Sequence, residues 1–312
     1  MQVSIIIVSY NTKELTKQTI QSVFDKTEGV EYEIIVVDND SKDGSVEELK
    51  KTFKDRITII QSKENLGFGR ANNLGIKQSK GKYIFLLNPD TKLVNNAIKI
   101  FYDYMEQNEQ VGVCGGNLYN VNEVPEESYM MYKNTVFSYF YWRYMELVYN
   151  IIAKFNKEKN YCRFNYSNKI KEVGYISGAD MFIRKEALDK VGLFDENIFM
   201  YLEDADLNFR IKNKGYNIKS VPQAKIFHYM SKSSSGIINK FSIAFTGTYY
   251  VFFKHFGKKT SLIYLDTKLT LLRKFIFSWL LRKEKSKKYI ELQKTNKEKY
   301  LEQKRLYKIK SF

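Results

Sequence analysis

The sequence predicts an α/β protein whose sheet is at least partly parallel and carries helices on both faces. Between residues 3 and 90, short runs of β-branched and apolar residues alternate with segments of helical spacing. Strands that alternate with helices in this way are typical of parallel sheets covered on both sides. Hydrophobic residues make up 44% of the chain, which is sufficient for a packed core. Only three prolines occur in 312 residues, so no proline-rich linker divides the chain.

The apolar runs predict four strands in this region, separated by three helices. The strands are expected over residues 3–8, 33–38, 56–61 and 83–87. The helices are expected over residues 12–25, 44–53 and 70–78. Ser41 and Asp43 are the candidate N-caps of the second helix, because their side-chain oxygens can accept hydrogen bonds from backbone N–H groups.

The second half of the chain has a less regular pattern. Residues 129–166 are dense in Tyr, Phe and Trp without clean periodicity. This predicts an insertion packed on the sheet or, alternatively, a surface on which carbohydrate stacks. Strands are expected near residues 171–175 and 179–184, and a helix over residues 185–191. A further helix is expected from Glu203 to a C-terminal cap at Gly215.

The charge distribution separates the C-terminal part from the rest. The net charge is +16, and 18 Lys and Arg against five Asp and Glu fall between Lys254 and the C-terminus. This asymmetry predicts an anionic partner for the tail, either phospholipid or nucleic acid. We therefore expect a main domain over residues 1–230, with halves at 1–110 and 111–230, and a basic helical extension over residues 231–312.

Several classes of protein are disfavoured by composition. Two cysteines, Cys114 and Cys162, suit a reducing compartment, and with two histidines they are too few for a usual Cys/His zinc site. The N-terminus lacks the basic segment of a signal peptide. The longest apolar run, residues 241–253, is too short to span a bilayer. A cytoplasmic protein is expected.

Two groups of acidic residues are candidates, one for binding a divalent cation and the other for general-base catalysis. Asp90 follows a strand and a proline, so its carboxylate can bridge a divalent cation, Mg²⁺ or Mn²⁺, to anionic phosphates. A turn residue is the structural alternative. Glu203, Asp204 and Asp206 fall at the start of a predicted helix, where the macrodipole also favours acids. Because three like charges lie so close together, we expect a raised pKa for at least one of them, as suits a general base.

A glycine-rich segment over residues 65–75 is a near miss for a dinucleotide-binding fingerprint. Gly67 and Gly69 are present, but Asn72 occupies the position of the third glycine, and the segment follows the third strand rather than the first. Dinucleotide oxidoreduction is therefore poorly supported. Close approach of this backbone to a phosphate or ribose, with Arg70 nearby, remains open.

The ordered set of motifs resembles the family 2 glycosyltransferases of the GT-A fold, especially the rhamnosyltransferase-like branch that decorates bacterial surface polysaccharides. The matching segments are VSYN at 8–11, VVDNDS at 36–41, NLGFGRANNLG at 65–75, LNPDT at 87–91, SGADM at 177–181 and YLEDAD at 201–206. The resemblance implies a nucleotide-binding half, an acceptor half and an inverting single displacement. The implied partners are a UDP- or dTDP-sugar donor and a glycan or lipid-linked acceptor.

The resemblance also implies roles for individual residues. Asp204 matches the catalytic base, and Asp90 holds the last position of the Asp-X-Asp metal motif, with Asn88 at its first position. His228 is a candidate metal or phosphate ligand, with a structural role as the alternative. Contacts with the nucleotide or donor sugar are implied for Ser9, Tyr10, Asn11, Asp38, Asn39, Asp40, Asn65, Gly67, Arg70, Asn88, Asp180 and Glu203.

The basic tail contains an amphipathic pattern with two interpretations. Leu262, Leu265, Leu269, Leu272, Ile276 and Trp279 recur at three- and four-residue steps beside Lys and Arg. The apolar stripe either packs against the main domain or lies in a membrane interface. The Lys-rich run beyond Lys283 is expected to be solvated.

Three other functions are alternatives to a transferase. A nucleic-acid-binding protein is the alternative function, although the aromatic residues and the tail charge lie in different segments. A processive membrane synthase is disfavoured because neither spanning helices nor a Gln-X-X-Arg-Trp motif is present. A catalytically dead sugar-binding relative is not favoured, since the acidic positions are all present. No nucleic-acid partner is therefore expected.

Overall fold

A mixed β-sheet with helices on both faces forms the body of the protein, as seen in a computed structural model that describes residues 1–131, 135–156, 163–229, 237–280 and 286–310. The strands are β1 (Val3–Ser9), β2 (Tyr32–Asp38), β3 (Thr58–Gln61), β4 (Tyr83–Leu87), β5 (Thr91–Leu93), β6 (Val111–Tyr119), β7 (Tyr129–Met130), β8 (Lys171–Glu172), β9 (Tyr175–Ile176), β10 (Asp180–Arg184) and β11 (Asn217–His228). The helices are α1 (Lys13–Lys26), α2 (Ser45–Phe53), α3 (Phe68–Gln78), α4 (Ala97–Gln107), α5 (Val136–Asn156), α6 (Lys185–Val191), α7 (Glu203–Asn213), α8 (Ile237–Phe256), α9 (Thr260–Leu280) and α10 (Ser286–Lys310).

The main sheet has the order β3-β2-β1-β4-β10-β6-β11-β5, with β8 paired to β11. The first four strands of this order are parallel neighbours, as the sequence predicted. The sheet becomes mixed at β10, which runs antiparallel to both β4 and β6. This insertion brings residues from the second half of the chain to the carboxyl end of β4.

Two apolar cores, one on each face, hold the helices to the sheet. On one face, Ile20 of α1, Phe53 of α2 and Phe101 of α4 are buried against the strands. On the other face, Ile76 of α3 and Leu207 of α7 are buried. Fully burying an aliphatic or aromatic side chain stabilises a fold by about 1.5–3 kcal/mol. The predicted layering, with helices on both faces, is confirmed.

Two local details differ from the sequence-based expectations. Gly44, rather than Ser41 or Asp43, is the N-cap of α2, with a left-handed φ of 76°. The Asp43 carboxylate still accepts a hydrogen bond from the Ser45 backbone N–H, at 3.1 Å, so it supports this helix start from one residue earlier in the chain.

Strand β6 was not predicted, because its glycines mask the apolar pattern. Gly116 is needed there, since a Cβ would lie 2.5 Å from the carbonyl oxygen of Ala224 in β11.

The C-terminal helices pack on the main body and on one another. Phe252 and Phe256 of α8 pack with Phe209 of α7. In α10, Leu292 and Tyr300 are buried, and the Tyr300 ring packs against Phe253 of α8. The expectation of a solvated Lys-rich run is therefore wrong for this face of α10. Among the described residues, no helix is both long enough and apolar enough to cross a membrane.

The aromatic insertion is mainly the helix α5. Its side chains Tyr139 and Phe140 pack with residues of α7 and α8, and the Tyr139 ring contacts Phe252 edge to face. The described part of the insertion thus adds to the core formed by the C-terminal helices. Cys114 is buried with a free thiol, and Cys162 lies outside the described residues.

Candidate active site

The carboxylate of Asp38, at the end of β2, has one oxygen prepared for a ligand. The side chain is 3% exposed, and its Oδ2 accepts a hydrogen bond from the Ser41 backbone N–H at 3.1 Å. Its Oδ1 is buried without a hydrogen-bond partner among the described residues. An unsatisfied buried carboxylate oxygen is costly, so a hydroxyl donor such as those of a ribose would stabilise it.

The loops after β1 and β2 hold each other in place around Asp38. Asn11 has a left-handed φ of 52°, and its Oδ1 accepts a hydrogen bond from the Lys42 backbone N–H at 2.7 Å. Ser9 is fully buried, and its carbonyl oxygen accepts from the Asn39 N–H at 2.8 Å. Tyr10 is 46% exposed beside them, so its ring is available to a ligand. These contacts place the predicted nucleotide-side residues in one cluster.

Asn39 connects this cluster to the glycine-rich segment. Its Nδ2 donates to Oδ1 of Asn65 at 2.9 Å, and its Oδ1 accepts from the Leu66 N–H at 2.9 Å. Asn65 in turn accepts from the Gly67 N–H at 3.0 Å. Both amide side chains are thus engaged in internal hydrogen bonds that shape the loop. Asp40, in contrast, pairs with Lys42 at 2.5 Å on the surface.

Gly67 is required by a backbone contact as well as by its own conformation. Its φ is 79°, and a Cβ at this position would lie 2.1 Å from the carbonyl oxygen of Phe199. The same carbonyl accepts a hydrogen bond from the Phe68 N–H at 3.2 Å, at the start of α3. The glycine-rich segment therefore contacts the loop that leads into Glu203 and Asp204. Arg70, in the first turn of α3, is half-buried.

Asp90, Asn88 and His228 come together at the carboxyl end of β4. Nε2 of His228 lies 3.4 Å from Oδ1 of Asp90 and 3.4 Å from Nδ2 of Asn88. His228 ends β11, which pairs antiparallel with β5, while the Tyr229 N–H donates to the Asp90 carbonyl at 2.8 Å. The pairing of β11 with β5 thus brings the histidine to a carboxylate 138 positions earlier in the chain.

This arrangement fits a divalent cation shared with phosphates. Oδ1 of Asp90 and Nε2 of His228 are 3.4 Å apart, so both atoms would be close enough to contact one bound cation. Among the described residues, no group of three or more Asp, Glu, His or Cys side chains could hold a metal by itself. Asp90 and His228 can therefore supply two protein ligands, and the remaining positions suit phosphate oxygens and water. Asn88 contributes an amide oxygen at most.

Asp204 occupies the first turn of α7 and faces the β9–β10 connection. Its Oδ2 accepts a hydrogen bond from the Gly178 N–H at 3.1 Å, and its Oδ1 accepts from the Ala205 N–H at 2.8 Å. Burial raises the pKa of Asp204 above its usual value, and these backbone hydrogen bonds oppose the rise. The pKa is thus shifted toward the range in which a carboxylate is an effective proton acceptor.

Glu203 is the more strongly perturbed carboxyl of the pair. Burial, followed by the charge of Asp204, raises the pKa of Glu203 to about 8. Its side chain is 6% exposed, and its Oε2 has no hydrogen-bond partner among the described residues. The raised pKa favours the neutral acid form of Glu203, which can donate a hydrogen bond.

Asp206 is held by cations and has a different role. Its Oδ2 pairs with Nε of Arg210 at 2.9 Å, while its Oδ1 contacts Nζ of Lys254 at 2.7 Å and Nε2 of His255 at 2.8 Å. Burial alone would raise the pKa of Asp206, but the hydrogen bond from His255 and the charges of Arg210 and Lys254 hold it below the usual value. This carboxylate is occupied in fixing α7 to α8, which leaves Asp204 as the candidate base.

A short hydrogen-bonded path joins the Asp204 side to the Asp90 side. Gly178 donates its N–H to Asp204, and the next residue, Ala179, accepts the Asn88 N–H at 3.0 Å. Asp180 follows in β10, but its carboxylate is fully buried and accepts from the Gly116 N–H at 2.6 Å. Burial raises the pKa of Asp180 well above its usual value. Backbone hydrogen bonds through Gly178 and Ala179 thus link Asp204 to the loop that carries Asn88 and Asp90, whereas Asp180 is buried inside the sheet.

Sequence reasoning missed residues of other elements that support the loops of Asp90 and Asp204. The hydroxyl of Thr19 donates to the carbonyl oxygens of Pro89 and Thr91, at 2.8 Å and 2.7 Å, and so fixes the Asp90 loop to α1. In α8, a Cβ on Gly247 would lie 2.5 Å from the Tyr201 carbonyl oxygen. His255 and Gly247 stand in an apolar helix with no recognisable motif, so only their three-dimensional contacts show their role.

The mixed sheet, with acidic loops at the carboxyl ends of its parallel strands, is the GT-A fold of nucleotide-sugar transferases. Solved structures agree: the chain superimposes on GalNAc-T7 with UDP, GalNAc and Mn²⁺ with a TM-score of 0.58, at 14% identity, covering 81% of this chain and 47% of that one. The profile of glycosyl transferase family 2 matches residues 4–192. The chain belongs to this family.

Two relatives of known name illustrate the sequence similarity. The rhamnosyltransferase WbbL of Escherichia coli is 26% identical over 76% of this chain and 87% of its own length. The poly(ribitol-phosphate) β-N-acetylglucosaminyltransferase TarP of Staphylococcus aureus is 32% identical over 36% of each protein. The chain thus spans about a third of TarP and under half of GalNAc-T7. The family profile ends before α7, so the assignment of Asp204 rests on the geometry and motif described above.

Proposed function

We propose that this protein is an inverting glycosyltransferase that moves a sugar from a UDP- or dTDP-linked donor to a hydroxyl of a glycan or lipid-linked acceptor. The observation that carries the proposal is the hydrogen-bonded connection through Gly178 and Ala179, which links Asp204 to the loop where Asp90 lies beside His228. Bacterial cell-surface polysaccharide synthesis in the cytoplasm, at the inner face of the plasma membrane, is the proposed setting. The relatives WbbL and TarP support it.

The donor would lie along the carboxyl ends of the parallel strands. Oδ1 of Asp38, which has no hydrogen-bond partner in the described part of the chain, suits a donor group of the ribose or base, and the exposed ring of Tyr10 suits contact with the base. Asp90 and His228 would hold a divalent cation, Mg²⁺ or Mn²⁺, whose charge neutralises the departing diphosphate. The Mn²⁺ in the GalNAc-T7 structure supports this choice of ion class.

The acceptor hydroxyl would meet Asp204. As its oxygen attacks the anomeric carbon, the hydroxyl proton passes to the Asp204 carboxylate, and the bond from the anomeric carbon to the phosphate oxygen breaks. The nucleotide diphosphate leaves with the bond electrons, and the configuration at the anomeric carbon inverts. Gly178 fixes the orientation of the carboxylate by donating its backbone N–H to Oδ2.

The direct test is a thermal-shift screen against UDP-, dTDP- and GDP-sugars, with and without Mn²⁺. We expect one nucleotide class to raise the melting temperature, and a hydroxyl acceptor then to yield a product of inverted anomeric configuration. A product of retained configuration would contradict the single displacement. Salt-sensitive retention on DNA, combined with no stabilisation by any nucleotide sugar, would favour the nucleic-acid-binding alternative instead.

A further inference from the structure

The α9 helix turns its apolar stripe outward. Five of the side chains in the predicted stripe are between 39% and 55% exposed: Leu262, Leu265, Leu269, Leu272 and Ile276. These five residues are called the leucine stripe below. Inward packing is supplied by other residues, since Ile263 and Leu271 are 1% and 7% exposed. The interpretation in which this stripe packs on the main domain is therefore wrong. The sixth predicted member, Trp279, has its side chain outside the described part of the chain.

Basic residues flank the leucine stripe on both sides. At 3.6 residues per turn, Lys268 lies along one edge of the stripe and Arg273 along the other, and both are exposed. Lys258 and Lys259 are exposed in the turn that precedes the helix. The single acidic residue of α9, Asp266, lies 3.6 Å from Nε of Arg143 in α5, so its charge is offset within the protein.

We infer that the leucine stripe is a docking surface for an anionic lipid bilayer. An exposed row of branched aliphatic side chains with cations on both edges lies naturally in the interface plane, where the apolar side chains enter the acyl boundary and the cations meet headgroup phosphates. Self-association through two stripes would bring Lys268 and Arg273 of each copy close to like charges. A nucleic acid would satisfy the cations but offers little to the central row of leucines.

Docking through the leucine stripe would place the proposed transferase at a membrane surface. The α9 helix packs through Ile263 against Phe252 and Phe256 of α8, and α8 contacts Asp206 of the helix that carries Asp204. Docking would therefore hold the candidate active site near the bilayer, where a lipid-linked acceptor would be found. Only this consequence rests on the proposed function, because the docking surface itself is defined by exposure and charge.

Co-sedimentation of the full chain with vesicles tests the inference. We expect binding to phosphatidylcholine vesicles containing about one quarter phosphatidylglycerol, and at least roughly tenfold weaker binding to phosphatidylcholine alone. Raising the salt from about 0.1 M to about 0.5 M should weaken binding, because exposed charges are then screened. Equal binding to both vesicle types, or no binding to either, would overturn the inference.

Two sets of variants locate the surface. The triple variant Leu265→Gln/Leu269→Gln/Leu272→Gln should lose binding by about tenfold or more. The matched control Ile290→Gln/Leu301→Gln/Leu306→Gln removes equally exposed side chains from α10 and should bind as the parent does. Lys268→Glu/Arg273→Glu should also lose binding, whereas Lys50→Glu/Lys51→Glu, exposed on α2, should not. Equal losses in the test and control variants would contradict the assignment.

Two further measurements separate this inference from its rivals. Light scattering should show the same oligomeric state for the parent and for the leucine variant. A parent dimer that the leucine variant dissolves would identify a second copy as the occupant and overturn the lipid assignment. The variants should retain nucleotide-sugar stabilisation in the thermal-shift assay. Lost vesicle binding with retained donor binding supports the surface, while intact vesicle binding without donor binding would overturn only the proposed transferase function.

Discussion

Nε2 of His255 lies 2.8 Å from Oδ1 of Asp206, which ties α8 to the helix that carries the candidate base. Asp204 and Asp206 are two residues apart, yet Asp204 accepts a hydrogen bond from the Gly178 N–H, whereas Asp206 is surrounded by three basic side chains. Stability and chemistry are therefore expected to depend on different members of the same acidic run.

Asp206→Asn should destabilise the fold. Removing the buried carboxylate charge leaves Arg210, Lys254 and His255 without their shared partner, and breaking a buried ion pair costs about 3–5 kcal/mol. Urea unfolding followed by circular dichroism measures this loss. Asp189→Asn, at an exposed position of α6, is the control and should change the unfolding free energy by less than about 0.5 kcal/mol. A loss no larger than that of the control would contradict the structural role.

Asp204→Asn should abolish transfer and leave the fold and donor binding nearly intact. Loss of a general base lowers kcat by about 10²- to 10⁴-fold, because the proton of the acceptor hydroxyl has no acceptor in the transition state. Steady-state kinetics give kcat, and titration of the donor gives its dissociation constant. Normal turnover by this variant would show that Asp204 is not the general base.

Asp90→Ala should weaken donor binding only when a divalent cation is present. The carboxylate is a proposed cation ligand, so its loss should remove most of the difference between Mn²⁺ and EDTA in the thermal shift produced by the donor. His228→Ala should act in the same direction. A parent-like response of the Asp90 variant to Mn²⁺ would refute the site. Asp103→Asn, in α4, where the carboxylate pairs with Lys99, provides a carboxylate control.

Glu203 should make the protein less stable as the pH rises toward 8. Its pKa is about 8 in the fold against 4.5 in the unfolded chain, so the folded state binds more protons between these values. The contribution of Glu203 to the free energy of unfolding is therefore fully present below pH 4.5, and it is lost as the pH rises through 8. Glu203→Gln should flatten this part of the profile by on the order of 1–3 kcal/mol. Parallel profiles for parent and variant, measured by urea unfolding at several pH values, would be inconsistent with the shift.

Gly67→Ala should be far more damaging than Gly192→Ala. Both glycines have the same backbone conformation, with φ near 80°, so both substitutions carry similar strain of about 1–3 kcal/mol. Only at Gly67 would the new Cβ collide with the Phe199 carbonyl, since at Gly192 no atom lies within 4 Å. Melting temperatures and donor affinities of the two variants distinguish the effects. Equal behaviour would show that backbone strain alone is responsible.

The predictable parts of the fold were those in which local pattern and tertiary environment agree. Strand β4 was predicted with correct bounds because every residue from Tyr83 to Leu87 is apolar and buried between two other strands. Strand β6 was missed because Gly112, Gly115 and Gly116 are present to allow close contacts rather than to favour a strand. When a contact with a residue far away in the sequence requires a glycine, the local sequence pattern does not reveal the strand.

For the candidate site, motifs alone assigned roles to Asn88, Asp90 and Asp204, and those roles stay predictions. The structure adds the backbone hydrogen bonds through Gly178 and Ala179 that link Asp204 to Asn88. Periodicity also revealed the stripe of α9, but it defines only a face of a helix and not the direction in which that face points. Ile263 and Leu271 decide that direction, and they lie off the regular stripe. Contacts made across long sequence separations, such as His255 with Asp206, lay beyond sequence reasoning.

The close approach of Gly247 to the Tyr201 carbonyl has a practical consequence for protein engineering. A chimera that exchanges C-terminal segments between relatives would be joined, on sequence grounds, just after His228. Such a junction would replace the helix whose backbone touches the loop leading to Asp204, and with it Lys254 and His255, two of the partners of Asp206. A junction in the turn Gly257–Lys259 retains α8 and exchanges only α9 and α10, so surface attachment can be altered while the reaction centre is kept.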